Sequence, residues 1–128
     1  QILMNHQSPT IFGTGEATRD FVSVMDVAEI NMLALQTDDE SVLGQIYNVA
    51  SGSTMSVMEL FTTLRNLLSD KEPTIGSVEP TFAPTREGDI LHSSASIEKA
   101  KSLLGFNPET NPHQALKATV EAYWAQRE

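Results

Sequence analysis

A serine at position 56 with a glutamate three residues on can open a helix reciprocally, the hydroxyl accepting the third amide while the carboxylate reaches back to the serine's own. Behind that start Leu60, Phe61, Leu64, Leu67 and Leu68 recur at three- and four-residue spacing, so one side of the helix is apolar and has to be covered by another layer. The runs on either side are of a different kind. Residues 45–49 (Gln-Ile-Tyr-Asn-Val) read as a buried strand that stops at Ser51-Gly52-Ser53, and residues 75–82 alternate loosely enough for another. A well-started helix between β-prone runs sets the class as α/β.

The remaining chain fits that frame. Thr10-Ile11-Phe12 is a short β-prone run ending in Gly13-Thr14-Gly15, and residues 21–24 form a second, so two extended segments flank a loop. Across residues 25–36 Val27, Ile30, Leu33 and Ala34 keep helical spacing. Asp38-Asp39-Glu40 then ends the helix in solvent; with no histidine or further carboxylate beside it, the run reads as a solvated turn and not a metal site. Ser96 is expected to cap a short helix that Gly105 stops. The last helix opens with Asn111 as N-cap, Pro112 at its first position and Gln114 as reach-back partner, and carries Leu116, Val120, Tyr123 and Trp124 on one side, with Trp124 as a core plug. The expectation is one domain, residues 1–128, with a few short strands and about four helices.

Composition removes several functions. An apolar content of 40% is that of a globular chain, and no stretch approaches the roughly 18 apolar residues of a membrane span. A formal charge of −9 with only eight scattered basic residues argues against nucleic-acid or anionic-membrane surfaces. Zero cysteines exclude disulfides and thiol chemistry and fit a reducing compartment, the cytoplasm. His6, His92 and His113 are not spaced as metal ligands or triad members, although His92 lies three residues beyond Asp89 and shares its stretch. Gly13-x-Gly15-x-x-Thr18 lacks the third glycine of the dinucleotide fingerprint and leads into a strand, so it reads as a turn that lets the main chain come close to a neighbour. Neither Tyr47 nor Tyr123 is followed four residues on by lysine, so no Tyr-x-x-x-Lys pair exists to deprotonate a sugar hydroxyl. Residues 1–7 look like neither a secretion signal nor a natural start, as in a piece cut from a longer chain.

Against this acidic background two arginines stand out, in Arg19-Asp20-Phe21-Val22 and in Arg86-Glu87-Gly88-Asp89. A guanidinium offers paired donors to phosphate oxygens and stays charged at any working pH, so the two together point to an anionic ligand such as a diphosphate. The plainer alternative is that each pairs with a nearby acid, Arg19 with Asp20 or Arg86 with Asp89.

In order and spacing, Ile11-Phe12-Gly13-Thr14-Gly15, Thr18-Arg19-Asp20-Phe21-Val22, Val24-Met25-Asp26-Val27-Ala28, Tyr47-Asn48-Val49-Ala50-Ser51-Gly52, Arg86-Glu87-Gly88-Asp89-Ile90 and Leu103-Leu104-Gly105-Phe106-Asn107-Pro108 resemble the C-terminal part of the NAD-dependent epimerase/dehydratase family, the extended short-chain dehydrogenases of nucleotide sugars. The pattern is most similar to UDP-sugar 4-epimerases, particularly those for N-acetylhexosamines. The resemblance implies a lid domain, detached from an N-terminal Rossmann domain, that binds a UDP-sugar. By position it implies that the main chain at Ile11 and Phe12 receives uracil, that Arg19 and Arg86 hold the diphosphate, and that Asp89 accepts ribose hydroxyls. It places NAD and the catalytic pair in the Rossmann domain, leaves this part without catalysis, and implies a homodimer for the whole enzyme. Dehydratases, reductases and decarboxylases share these features, and an adaptor that keeps the fold without the ligand is the rival of another class. Leu91, where relatives often have arginine, and Ser96, where they have aspartate, depart from the pattern.

Overall fold

The computed structural model describes residues 1–127. After a 3-10 turn at Leu3–Asn5 come β1 (Thr10–Phe12), β2 (Thr18–Arg19), α1 (Val24–Gln36), β3 (Met55–Ser56), α2 (Val57–Ser69), a second 3-10 turn (Pro73–Ser77), β4 (Thr81–Ala83), β5 (His92–Ser93), α3 (Glu98–Leu104) and α4 (Pro112–Ala125). This is the small α/β arrangement read from the sequence, with four α-helices. β1 pairs in parallel with β4, while β2 lies between β3, antiparallel to it, and β5, parallel to it.

Helix starts follow the local chemistry. Ser56 accepts from the Glu59 amide at 3.1 Å while the Glu59 carboxylate accepts from the Ser56 amide at 2.7 Å, so the capping box forms in both directions. Ser23 caps α1 and Asn111 caps α4 through their side-chain oxygens.

Two apolar clusters result. One gathers Leu3, Met4, Ile11, Phe61, Leu68, Ile75 and Val120, with Leu64, Leu67 and the half-buried Trp124 against it, and locks α2 to α4. The other gathers Ile30, Val42, Ala50, Ile97, Ala100, Leu104 and the fully buried Phe106, and joins α1 to α3. Asp26 is buried between α1 and the segment before α4, its Oδ1 accepting from the Thr110 hydroxyl at 2.7 Å and the Thr110 amide at 3.3 Å.

Six local expectations need correction. Residues 45–49 are extended but form no strand: Tyr47 and Val49 turn toward the second cluster and Ile46 and Asn48 outward, so the two-residue period is kept without a ladder partner among the described residues. In residues 75–82, Pro73 fixes a 3-10 turn in which Ile75 is fully buried, and the strand shrinks to β4. The strand expected at 21–24 comes earlier, as β2, because Ser23 is already the cap of α1. Ser96 sits one position before the N-cap of α3, which is Ile97, and meets the Glu98 amide only at 3.4 Å. The reach-back of Gln114 is not made among the described residues, and Tyr123 is half exposed.

Candidate functional site

The sheet pairing explains how residues seventy positions apart meet. Residues 10–19 and 81–93 run side by side in the same direction, joined at one end by β1 with β4 and at the other by β2 with β5. Further hydrogen bonds close the seam: Gly13 donates to Ala83 at 2.9 Å and Thr18 donates to Leu91 at 2.8 Å. Between the paired ends each segment bulges into a loop. The first turns at Gly13 and Gly15, whose φ values of 77° and 81° favour glycine. Gly15 accepts from the Met58 amide at 3.0 Å, and a Cβ there would stand 3.2 Å from that of Met58. β2 then follows, so no helix N-terminus is presented to a pyrophosphate and these residues do not fit an NAD cradle. The second loop turns at residues 86–89, where Asp89 donates to the Arg86 carbonyl at 3.2 Å and Gly88, at φ 78°, takes the third position of a type II turn.

That geometry brings together four of the five residues singled out in the sequence. The Cζ of Arg86 lies 3.7 Å from the centroid of the Phe12 ring, a cation–π stack. The turn carries the chain on to Asp89, whose Oδ1 is 2.7 Å from an Nη of Arg19. Arg19 also donates to the Thr18 carbonyl at 2.8 Å, which ties its guanidinium to its own strand. Ile11 is different: its side chain is buried in the first cluster and its main chain faces β4, so it is not brought to this group. Since Pro9 and Gly13 bond to β4, the pleat directs the main-chain groups of Thr10 and Phe12 to the opposite edge of β1.

Neither neighbour pairing considered for the arginines occurs. Asp89 pairs with Arg19 instead of Arg86, and Asp20 accepts from the amides of Ser51 and Gly52 at 2.7 and 3.1 Å. Among the described residues no carboxylate pairs with Arg86, which is exposed beside Phe12. His92 is neither buried nor idle: on β5 its Nδ1 is 3.0 Å from the Thr18 hydroxyl. Two contacts escaped the sequence reading altogether, the Phe12–Arg86 stack and the Asp20 anchor. Both join residues far apart in the chain and leave no periodic signature. Among the described residues no cluster of His, Cys, Asp or Glu could hold a metal, and no helix is long and apolar enough to cross a membrane. An open apolar groove of about 650 Å³ between β1, α2 and α4 lies away from the arginines.

The parallel pairing of residues 10–19 with 81–93 thus brings two guanidiniums and a carboxylate onto one seam. Residues 1–119 match the family model described as GDP-mannose 4,6 dehydratase, and the chain belongs to the NAD-dependent epimerase/dehydratase family, as its C-terminal part. It is 36% identical over 118 residues to a putative UDP-glucose 4-epimerase of Methanocaldococcus jannaschii, covering 92% of this chain and 35% of that protein. The solved UDP-glucose 4-epimerase of Thermotoga maritima, with UDP-glucose, superposes at a TM-score of 0.81 and 32% identity, over 99% of this chain and 38% of the other. MoeE5, solved with UDP-glucuronic acid and NAD, superposes at 0.76 and 26% identity, over 97% and 39%. The chain thus spans about a third of the length of the curated relatives it matches.

Proposed function

We propose that this chain is the nucleotide-binding lid of a UDP-sugar epimerase, a UDP-hexose or UDP-N-acetylhexosamine 4-epimerase acting in the cytoplasm as a homodimer. In this reading the Ile11–Phe12 segment receives the uracil through the main chain of Phe12, on the edge of β1 away from β4, Arg19 and Arg86 engage the diphosphate, and Asp89 accepts from the ribose hydroxyls. The observation that carries it is the convergence of Arg19, Arg86 and Asp89 on one seam, with a 2.7 Å ion pair linking segments seventy residues apart. A rigid seam of this kind supplies positioning, which is most of what a non-reacting half of a substrate needs. The hydride chemistry would be supplied by NAD, which a Rossmann domain of a longer protein, and not the residues of this chain, would hold.

The two solved relatives carry UDP-glucose and UDP-glucuronic acid, so what their ligands share is the UDP half, which supports assigning that half to this chain. The family model's description favours a second reading, a dehydratase acting on a guanine nucleotide sugar. Calorimetric titration with UDP and GDP separates the two. The expected result is UDP binding in the high-micromolar to millimolar range, weakened about fivefold in Arg86→Lys because lysine keeps the charge but not the fork. Preference for GDP would favour the second reading, and binding of neither would reject both.

A further inference from the structure

We infer that the side chain of Phe12 is a positioning residue for Arg86, holding its guanidinium flat so that its in-plane N–H donors face the diphosphate. The inference rests on the nucleotide-binding reading above and adds to it a role for a side chain whose main chain alone that reading uses.

Arg86 stands in an exposed loop, and among the described residues it has no carboxylate partner. An arginine in that situation would sample many rotamers and lose that freedom when a ligand stops it. One contact limits that freedom here, the Phe12 ring at 3.7 Å. Stacking has a geometric consequence that an ion pair lacks. The face of the guanidinium is covered while all five N–H bonds, which lie in its plane, stay available at the edge. An Arg86–Asp89 pair would have taken up to two of those donors; Asp89 is instead held by Arg19.

The platform is itself fixed. Phe12 ends β1 opposite Ala83 of β4, and Gly13 locks the strand end by donating to Ala83 at 2.9 Å. Thr85, next to Arg86, sits so close to Gly13 that a Cβ on the glycine would stand 3.1 Å from its hydroxyl. A residue at strand end, a tight approach beneath it and a half-exposed ring together define where the guanidinium lies. The ring is 37% exposed, so its replacement opens no core cavity.

The test compares UDP and UMP affinities of the 128-residue chain in wild type, Phe12→Leu and Phe12→Tyr, with the Arg86 side-chain N–H resonance followed in each ligand-free protein. Loss of a stack at a partly exposed site corresponds to about a threefold to fivefold loss of affinity. Phe12→Leu should therefore reduce the UDP-over-UMP preference by about that factor, weakening UDP more than UMP. It should also remove the upfield ring-current shift at Arg86. Phe12→Tyr, which keeps the π face, should retain both. If Phe12→Leu keeps the full preference, or loses UMP and UDP equally, the positioning role is overturned while the binding site stands. A wild type that fails to bind UDP overturns the site reading itself, and this inference with it.

Discussion

Replacing Asp20 by alanine should destabilise the chain by about 2 kcal/mol, through two amides thirty residues away and not through its neighbour Arg19. Asp20 Oδ1 takes the Ser51 amide at 2.7 Å and Oδ2 takes the Gly52 amide at 3.1 Å, pinning the loop before β3 to the end of β2. Hydrogen bonds to a charged acceptor contribute about 1.5–3 kcal/mol each. Gly52 is exposed and can turn to water, whereas Ser51 is half-buried, so the Ser51 bond carries most of the loss. With an unfolding entropy of about 2.1 cal/mol/K per residue, 2 kcal/mol is about 7 °C in Tm for a chain of this length. Asp20→Asn keeps one acceptor and should lose about half. Thermal unfolding by circular dichroism gives the totals, and amide hydrogen exchange assigns them: protection should fall at Ser51 and Gly52 in Asp20→Ala and stay unchanged there in Arg19→Ala. A loss below about 0.5 kcal/mol, the ordinary range of surface substitutions, or unaltered exchange at both amides, would refute the anchor.

Three further outcomes follow from the structure. Glu72 joins Arg127 at 2.6 Å and His6 at 2.6 Å, and those contacts, Arg127 foremost, hold its carboxyl below the ordinary value of 4.5. A depressed folded pKa stabilises above the unfolded value and is lost as pH falls through the folded one, so Glu72→Gln should flatten the acid limb of stability below about pH 4.5, read from urea midpoints across pH 3–6. Phe106 is fully buried in the second cluster, and Phe106→Ala should cost about 3–5 kcal/mol by denaturant unfolding. Calorimetry with NAD should show no saturable binding tighter than about 0.1 mM, because the Gly13–Gly15 turn leads into β2 and offers no helix N-terminus.

Much of the fold was legible because its helices announce themselves locally. The Ser56–Glu59 box and the Asn111-Pro112 start depend on residues within one turn of each other, and both stand where the sequence puts them. The strands were harder. β2, β3 and β5 are two residues long, too short for any alternation to show, and residues 45–49 keep the alternation while lacking the partner that makes a strand. For the site, residue types and spacing picked out Arg19, Arg86 and Asp89, but not their partners. Which acid meets which arginine is decided by the parallel pairing of β1 with β4 and β2 with β5, a seventy-residue contact invisible to any local pattern.

The central claim, that the seam between residues 10–19 and 81–93 is the nucleotide site, is tested most directly by amide chemical-shift mapping during a UDP titration. The account predicts saturable shifts concentrated at residues 11–19 and 86–89, weakened by added salt as the arginine contacts are screened. Shifts clustered instead along the apolar groove between α2 and α4, or no saturable shift anywhere, would contradict it.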